Sequence, residues 1–218
     1  MVKKFQVTIK VRHHLTSLKT NDMDLGLQNK RVLVTGSSRG IGEAIARGFL
    51  YEGAKVFITS RGSKQLLETE KKLIKEFGDN NVISSVCDCS DPIALAKLKN
   101  TILNEWDGID VLVTNVGDGR SVDDILPNEA QWDKIWKNNF DSTINSVRAF
   151  LPILQDSKGC ILFISSIAGM ESIGAPIDYS TAKTAVISLA KNLSKKLSNE
   201  VRINVLSPGN ILFPEGSW

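Results

Sequence analysis

Arg31-Val-Leu-Val-Thr-Gly36-Ser-Ser-Arg-Gly40-Ile-Gly42 is a short β-branched run that breaks into a glycine-rich turn. Behind it Ala44, Ile45, Ala46, Phe49 and Leu50 recur at helical spacing, so the stretch reads as strand, turn, helix. That context makes the glycines informative. They let the backbone turn tightly and approach a pyrophosphate, whose charge meets the N–H groups at the start of the helix. Gly36, Ser38, Arg39, Gly40, Ile41 and Gly42 are therefore the first candidate cofactor-binding residues.

Lys55-Val-Phe-Ile-Thr-Ser60 reads as the second strand, and it ends in Arg61 where an acid would bind the ribose hydroxyls of NAD. An Arg accommodates the additional phosphate of NADP, and Arg39 supplies a second cation from the glycine loop. NADP is the expected cofactor, in preference to NAD. Either cation taken alone could equally be a solvated surface charge.

The same alternation continues. Gln65 to Phe77 reads as a helix and Asn81 to Cys87 as a strand. Asp91 reads as the N-cap of a helix carrying Ile93, Leu95, Leu98 and Ile102. Ile109 to Thr114 reads as a strand, Asn128 to Leu154 as one long helix or two, and Cys160 to Ser165 as a buried strand. Tyr179 to Leu197 reads as a helix and Val201 to Leu206 as a strand. Strands alternating with helices imply an α/β fold, a doubly wound parallel sheet in a three-layer αβα arrangement.

Composition is consistent with one such domain. The chain has 218 residues, 42% hydrophobic and 23% charged, with no apolar run long enough to span a membrane and no signal-peptide pattern. Cys87, Cys89 and Cys160 are an odd, sparse set that suits a reducing compartment, and no metal-ligand spacing accompanies them. A cytoplasmic location is expected. Net charge is +3, but Lys3, Lys4, Lys10, Arg12 and Lys19 against Asp22 give residues 1–22 a balance of +4, leaving −1 for the rest. A near-neutral body argues against a nucleic-acid surface. Residues 1–22 are expected to be an extension outside the fold, with the domain occupying 23–218.

Tyr179-Ser-Thr-Ala-Lys183 places a phenol and an ammonium one helical turn apart on the same face. A free tyrosine titrates at roughly 10, too high for proton transfer at neutral pH, and a fixed cation lowers that value. On its own such a pair is more often a packed ring and a solvated charge.

Seven segments in order and spacing resemble the short-chain dehydrogenases/reductases of the single-domain Rossmann type, from about Asp24 to the C-terminus. Thr35 to Gly42 resembles that family's cofactor loop, and Asp88 its adenine-contacting aspartate. Asn115-Val-Gly117 resembles the Asn-Ala-Gly segment beside the cofactor, with Val116 in place of the alanine and Thr114 where another asparagine is common. Asn139 sits where the family holds a catalytic water; Asn138 competes, but the following Phe-Asp-Ser-Thr fits the register with Asn139. Ser166, thirteen residues before Tyr179, matches the catalytic serine, Tyr179 and Lys183 match the Tyr-x-x-x-Lys pair, and Pro208-Gly209 matches the turn beside the nicotinamide.

The resemblance implies an oxidoreductase passing hydride between nicotinamide and a carbonyl or secondary alcohol. Tyr179 would exchange the proton, Lys183 would lower its pKa and hold the ribose, Ser166 would hold the substrate oxygen, and Asn139 would complete a proton relay. It also implies a homodimer or homotetramer. Family members continue well past the Pro-Gly turn to a last strand, so the chain is expected to be truncated and its sheet to lack that strand. The alternative reading is therefore a truncated or regulatory NADP-binding module with little activity. Sugar epimerase or dehydratase chemistry shares the fold but spaces the glycine loop differently.

Overall fold

In the computed structural model, residues 24–122 and 124–211 are described; the expected extension, residues 1–22, lies outside them. Six parallel strands form one sheet in the order β3-β2-β1-β4-β5-β6. They are β1 (Arg31–Thr35), β2 (Lys55–Ser60), β3 (Val82–Val86), β4 (Val111–Thr114), β5 (Cys160–Ile164) and β6 (Arg202–Leu206). The doubly wound reading holds, with strand bounds within two residues of expectation.

Alternation along the strands feeds two cores. Val32 and Val34 of β1, with Val56 and Ile58 of β2, pack under α1 (Gly40–Tyr51) and α2 (Ser63–Phe77), whose Ala46, Leu50, Leu66 and Leu73 face them. Leu33, Phe57 and Leu112 point the other way, onto α3 (Pro92–Trp106), α5 (Ser142–Asp156) and α6 (Ile177–Lys196), through Leu95, Leu98, Ile102, Phe150, Leu154, Val186 and Ala190. Because both faces are covered, these strands read as continuous apolar runs rather than alternating ones.

The chain order reverses between β1 and β4, which lie side by side. At such a switch point the loops leaving the two carboxyl ends diverge and open a crevice. The glycine turn leaves β1 there, and Asn115 leaves β4. On the far side β6 pairs, among the described residues, with β5 alone, and its Val205 and Leu206 are exposed.

The long helical stretch after Asn128 is two helices joined through a π turn. Asn128 caps α4 (Glu129–Trp136) by accepting from Gln131 N at 3.0 Å. A π-helical turn over Lys137–Asp141 then leads without a break into α5. Such turns insert one residue into a helix and are frequent at functional sites, and this one carries Asn139.

Candidate active site

Three contacts build the floor of the crevice. Asn115 Nδ2 donates to the carbonyl oxygens of Thr35 and Gly36 at 3.1 and 2.8 Å, while its N–H donates to Thr35 Oγ1 at 3.0 Å. One side chain thus ties the end of β4 to the end of β1. Ser37, fully buried, donates to the Val34 carbonyl at 2.7 Å and accepts from Thr59 N at 2.9 Å, fixing the glycine turn against β2. Gly42 fits between these parts because it lacks a side chain: a Cβ there would lie 2.4 Å from Gly36 O and 2.5 Å from Asn115 Nδ2.

The first turn of α1 receives no side-chain cap from Arg39, whereas α3 and α4 are capped by Asp91 and Asn128. An uncapped helix start at a switch point leaves donors for an anion. Two cations, Arg39 and Arg61, stand on the same wall. On this evidence the residues present fit a phosphate-bearing dinucleotide.

One cleft of about 580 Å³ gathers Gly36, Ser38, Arg39, Gly40, Ile41, Gly42, Arg61, Asp88, Asn115, Gly117, Tyr179 and Lys183. Four expected residues are not on its wall. Asn139 is fully buried behind it, Ser166 is half-buried beside it, and Pro208 and Gly209 lie off it. Pro208 acts at one remove, its carbonyl accepting from Ile167 N at 2.9 Å and supporting the short turn that Ser166 begins. Among the described residues, nothing lies within 4 Å of a Cβ placed on Gly209.

Asn139 has a defined task in the fold. Its Nδ2 donates to the carbonyls of Asp118 and Ile135 at 3.0 and 2.9 Å, and its Oδ1 accepts from Asp118 N at 3.1 Å. It thereby pins the loop after β4. Asn138, the competing choice, is partly exposed and instead accepts from Arg61 at 3.1 Å. Across the loop, a Cβ on Gly117 would lie 2.9 Å from both Asn139 Oδ1 and Lys183 Nζ, so glycine leaves room for both groups.

Lys183 is buried, and its ammonium donates to the Ile164 carbonyl at 3.2 Å. Burial without a carboxylate partner lowers its pKa to about 8. The Tyr179 phenol moves opposite to expectation. Burial raises it, the Asp118 charge adds to the rise, and the Ser166 hydroxyl acts the other way. The ammonium stands 5.9 Å from the ring centroid and is not among the groups that set this shift. At the Asp88 end of the crevice, burial pushes its carboxyl up. Hydrogen bonds from Ser90 and the charges of Arg61 and Lys137 outweigh it and hold the group below its usual range.

Sequence reasoning missed the pair Asp118 and Arg120, which line the cleft and are joined by contacts of 2.9 and 3.1 Å. It also missed Asp178, a fully buried carboxylate next to Tyr179. No motif marked either one.

The model of the short chain dehydrogenase family matches residues 30–215. The chain belongs to that family. Among its relatives, the uncharacterized oxidoreductase YvrD of Bacillus subtilis is 37% identical over 190 residues, covering 86% of this chain and 70% of that protein. L-sorbose reductase from Gluconobacter frateurii, solved with NADPH and L-sorbose, superimposes with a TM-score of 0.83 at 28% identity, over 88% of this chain and 74% of that one. RhlG of Pseudomonas aeruginosa, solved as an NADP active-site complex, gives a TM-score of 0.79 at 29% identity, over 85% and 74%. Short-chain dehydrogenases are oxidoreductases, so the expected family and fold both stand. No helix among the described residues is long and apolar enough to cross a membrane.

Proposed function

We propose that this short-chain dehydrogenase is an NADP(H)-preferring enzyme that interconverts a carbonyl compound and its secondary alcohol. The observation that carries the proposal is the meeting of Tyr179 and Lys183 with the uncapped α1 N-terminus in one crevice. The NADPH and NADP complexes of the L-sorbose reductase and RhlG structures support the choice of cofactor.

Gly36 to Gly42 would hold the pyrophosphate, Arg39 and Arg61 the additional phosphate, Asp88 the adenine end, and Asn115 and Gly117 the wall beside the ring. When bound, the nicotinamide supplies or takes up the hydride. Burial leaves the Tyr179 phenol protonated but a weaker acid, so donation to a carbonyl oxygen would depend on the Lys183 ammonium stabilising the phenolate. Ser166 would hold that oxygen as charge develops on it. Lys183 would hold the ribose and, being a buried ammonium, stabilise the phenolate left after donation. Asn139 would keep the loop over Lys183 closed.

A cofactor-consumption screen with NADPH and NADH across ketones, aldehydes and sugars tests the proposal. Turnover with NADPH at the lower KM is expected. Binding of NADPH with no turnover of any class would instead make the chain a cofactor-binding module.

A further inference from the structure

Asp178 is fully buried, and among the described residues no Lys or Arg pairs with it. A carboxylate in that position is expensive unless its oxygens are satisfied by donors. They are satisfied from two different elements. Oδ1 accepts from the N–H of Tyr179 at 2.7 Å, in the first turn of α6, and Oδ2 accepts from the hydroxyl of Ser121, in the loop after β4. Ser121 Oγ in turn accepts from Gln131 Nε2 of α4 at 3.1 Å. Pro176, at the start of α6, offers no side-chain cap, so Asp178 is the acid that serves this helix N-terminus.

We infer that Asp178 is a positioning residue for the reaction proposed above, strapping the loop after β4 to the helix that carries Tyr179 and Lys183. That loop is otherwise held at Asp118 by Asn139, on the cofactor side. The Ser121–Asp178 bond is its second anchor, three residues on and beside Tyr179. Between the anchors, Gly119 and Arg120 form cleft wall. With both anchors made, the wall opposite the phenol is fixed, and so is the distance at which a substrate carbonyl meets it. A displacement of about 1 Å at this point costs on the order of a hundredfold in rate.

Three variants test the strap: Ser121→Ala, Asp178→Ala and Asp178→Asn. Hydrogen exchange of the 118–127 segment, measured without added nucleotide, is expected to accelerate in both alanine variants and to return close to the parent in Asp178→Asn, which keeps an acceptor. This readout does not depend on turnover, so a parent protein inactive on every carbonyl would sink the proposed reaction and leave the strap testable. With a carbonyl that is turned over, kcat should fall about tenfold or more in both alanine variants, with the NADPH Kd unchanged. The double variant should lose less than the sum of the two single losses, because the Ser121–Asp178 bond is common to both. Should Asp178→Ala fail to fold, Ser121→Ala, which deletes one hydroxyl, carries the comparison. Unchanged exchange with unchanged kcat, or losses that add in the double variant, would overturn the inference.

Discussion

The Lys183 ammonium stands 5.9 Å from the centre of the Tyr179 ring and donates to the Ile164 carbonyl, with no carboxylate partner among the described residues. The fold therefore bears a buried charge for the sake of its position. With a folded pKa of about 8 against an ordinary 10.5, charging this lysine opposes folding by about 3 kcal/mol. Between those two values the unfolded chain binds a proton that the folded chain does not, so stability rises with pH across that window, and below it the penalty is fully present. Lys183→Met should raise the melting temperature at pH 7 by about 4 °C or more, less the loss of the Ile164 bond, while abolishing turnover. The advantage should shrink as pH is raised from 8 to 10. A variant no more stable than the parent at pH 7 would mean the ammonium is solvated.

Tyr179→Phe removes one oxygen from a ring that is already largely buried. Turnover should fall by about a thousandfold, in the range expected for lost acid–base catalysis. NADPH affinity, measured by fluorescence titration, should stay nearly unchanged. Retained turnover would take Tyr179 out of the proton-transfer role.

Arg61 spans the crevice to Asn138 on its exposed side, so replacing it costs little stability. Charge-assisted contacts to a phosphate are worth about 1.5–3 kcal/mol. Arg61→Asp should therefore weaken NADPH about tenfold to a hundredfold and bring NADH affinity up, read as the ratio of the two Kd values. An unaltered ratio would assign the phosphate to Arg39.

How much of this was open to the sequence depends on the range of the contacts involved. Arg31 to Gly42 is local: β-branched residues, glycines and a helical repeat act within a dozen positions, and the strand, turn and helix form where expected. The π turn at Lys137–Asp141 is also local but silent, since Ile135, Trp136 and Phe140 keep a helical repeat through it and no glycine or proline interrupts them. The Ser121–Asp178 bond joins residues 57 apart and leaves no periodic trace. The sign of the Tyr179 shift went wrong for a related reason. Four-residue spacing brings Lys183 to the same face, but how deeply the helix is buried is decided by β6, α4, the π turn and the Ser166 turn packed against it. Gly169 shows how closely that turn packs, since a Cβ there would lie 2.8 Å from the backbone carbon of Lys183.

Two glycines of α1 give the sharpest test of the cofactor cradle, because they differ only in surroundings. Alanine is favoured over glycine inside a helix by about 1 kcal/mol. At Gly48, where no described residue lies within 4 Å of the added Cβ, that gain is free to appear. At Gly42 the same Cβ would lie 2.4 Å from Gly36 O and 2.8 Å from Ser37 Cα, both backbone of the turn, as well as 2.5 Å from Asn115 Nδ2. Relief requires the turn to lift from the helix and Asn115 to release Thr35 and Gly36, at a cost of about 1–3 kcal/mol for overpacking. Gly48→Ala should raise the melting temperature and leave NADPH binding intact. Gly42→Ala should lower the melting temperature and weaken NADPH binding at least tenfold. Because the helix-propensity change is common to both, opposite shifts isolate the cradle, and shifts in the same direction would show that the turn adapts to the extra methyl.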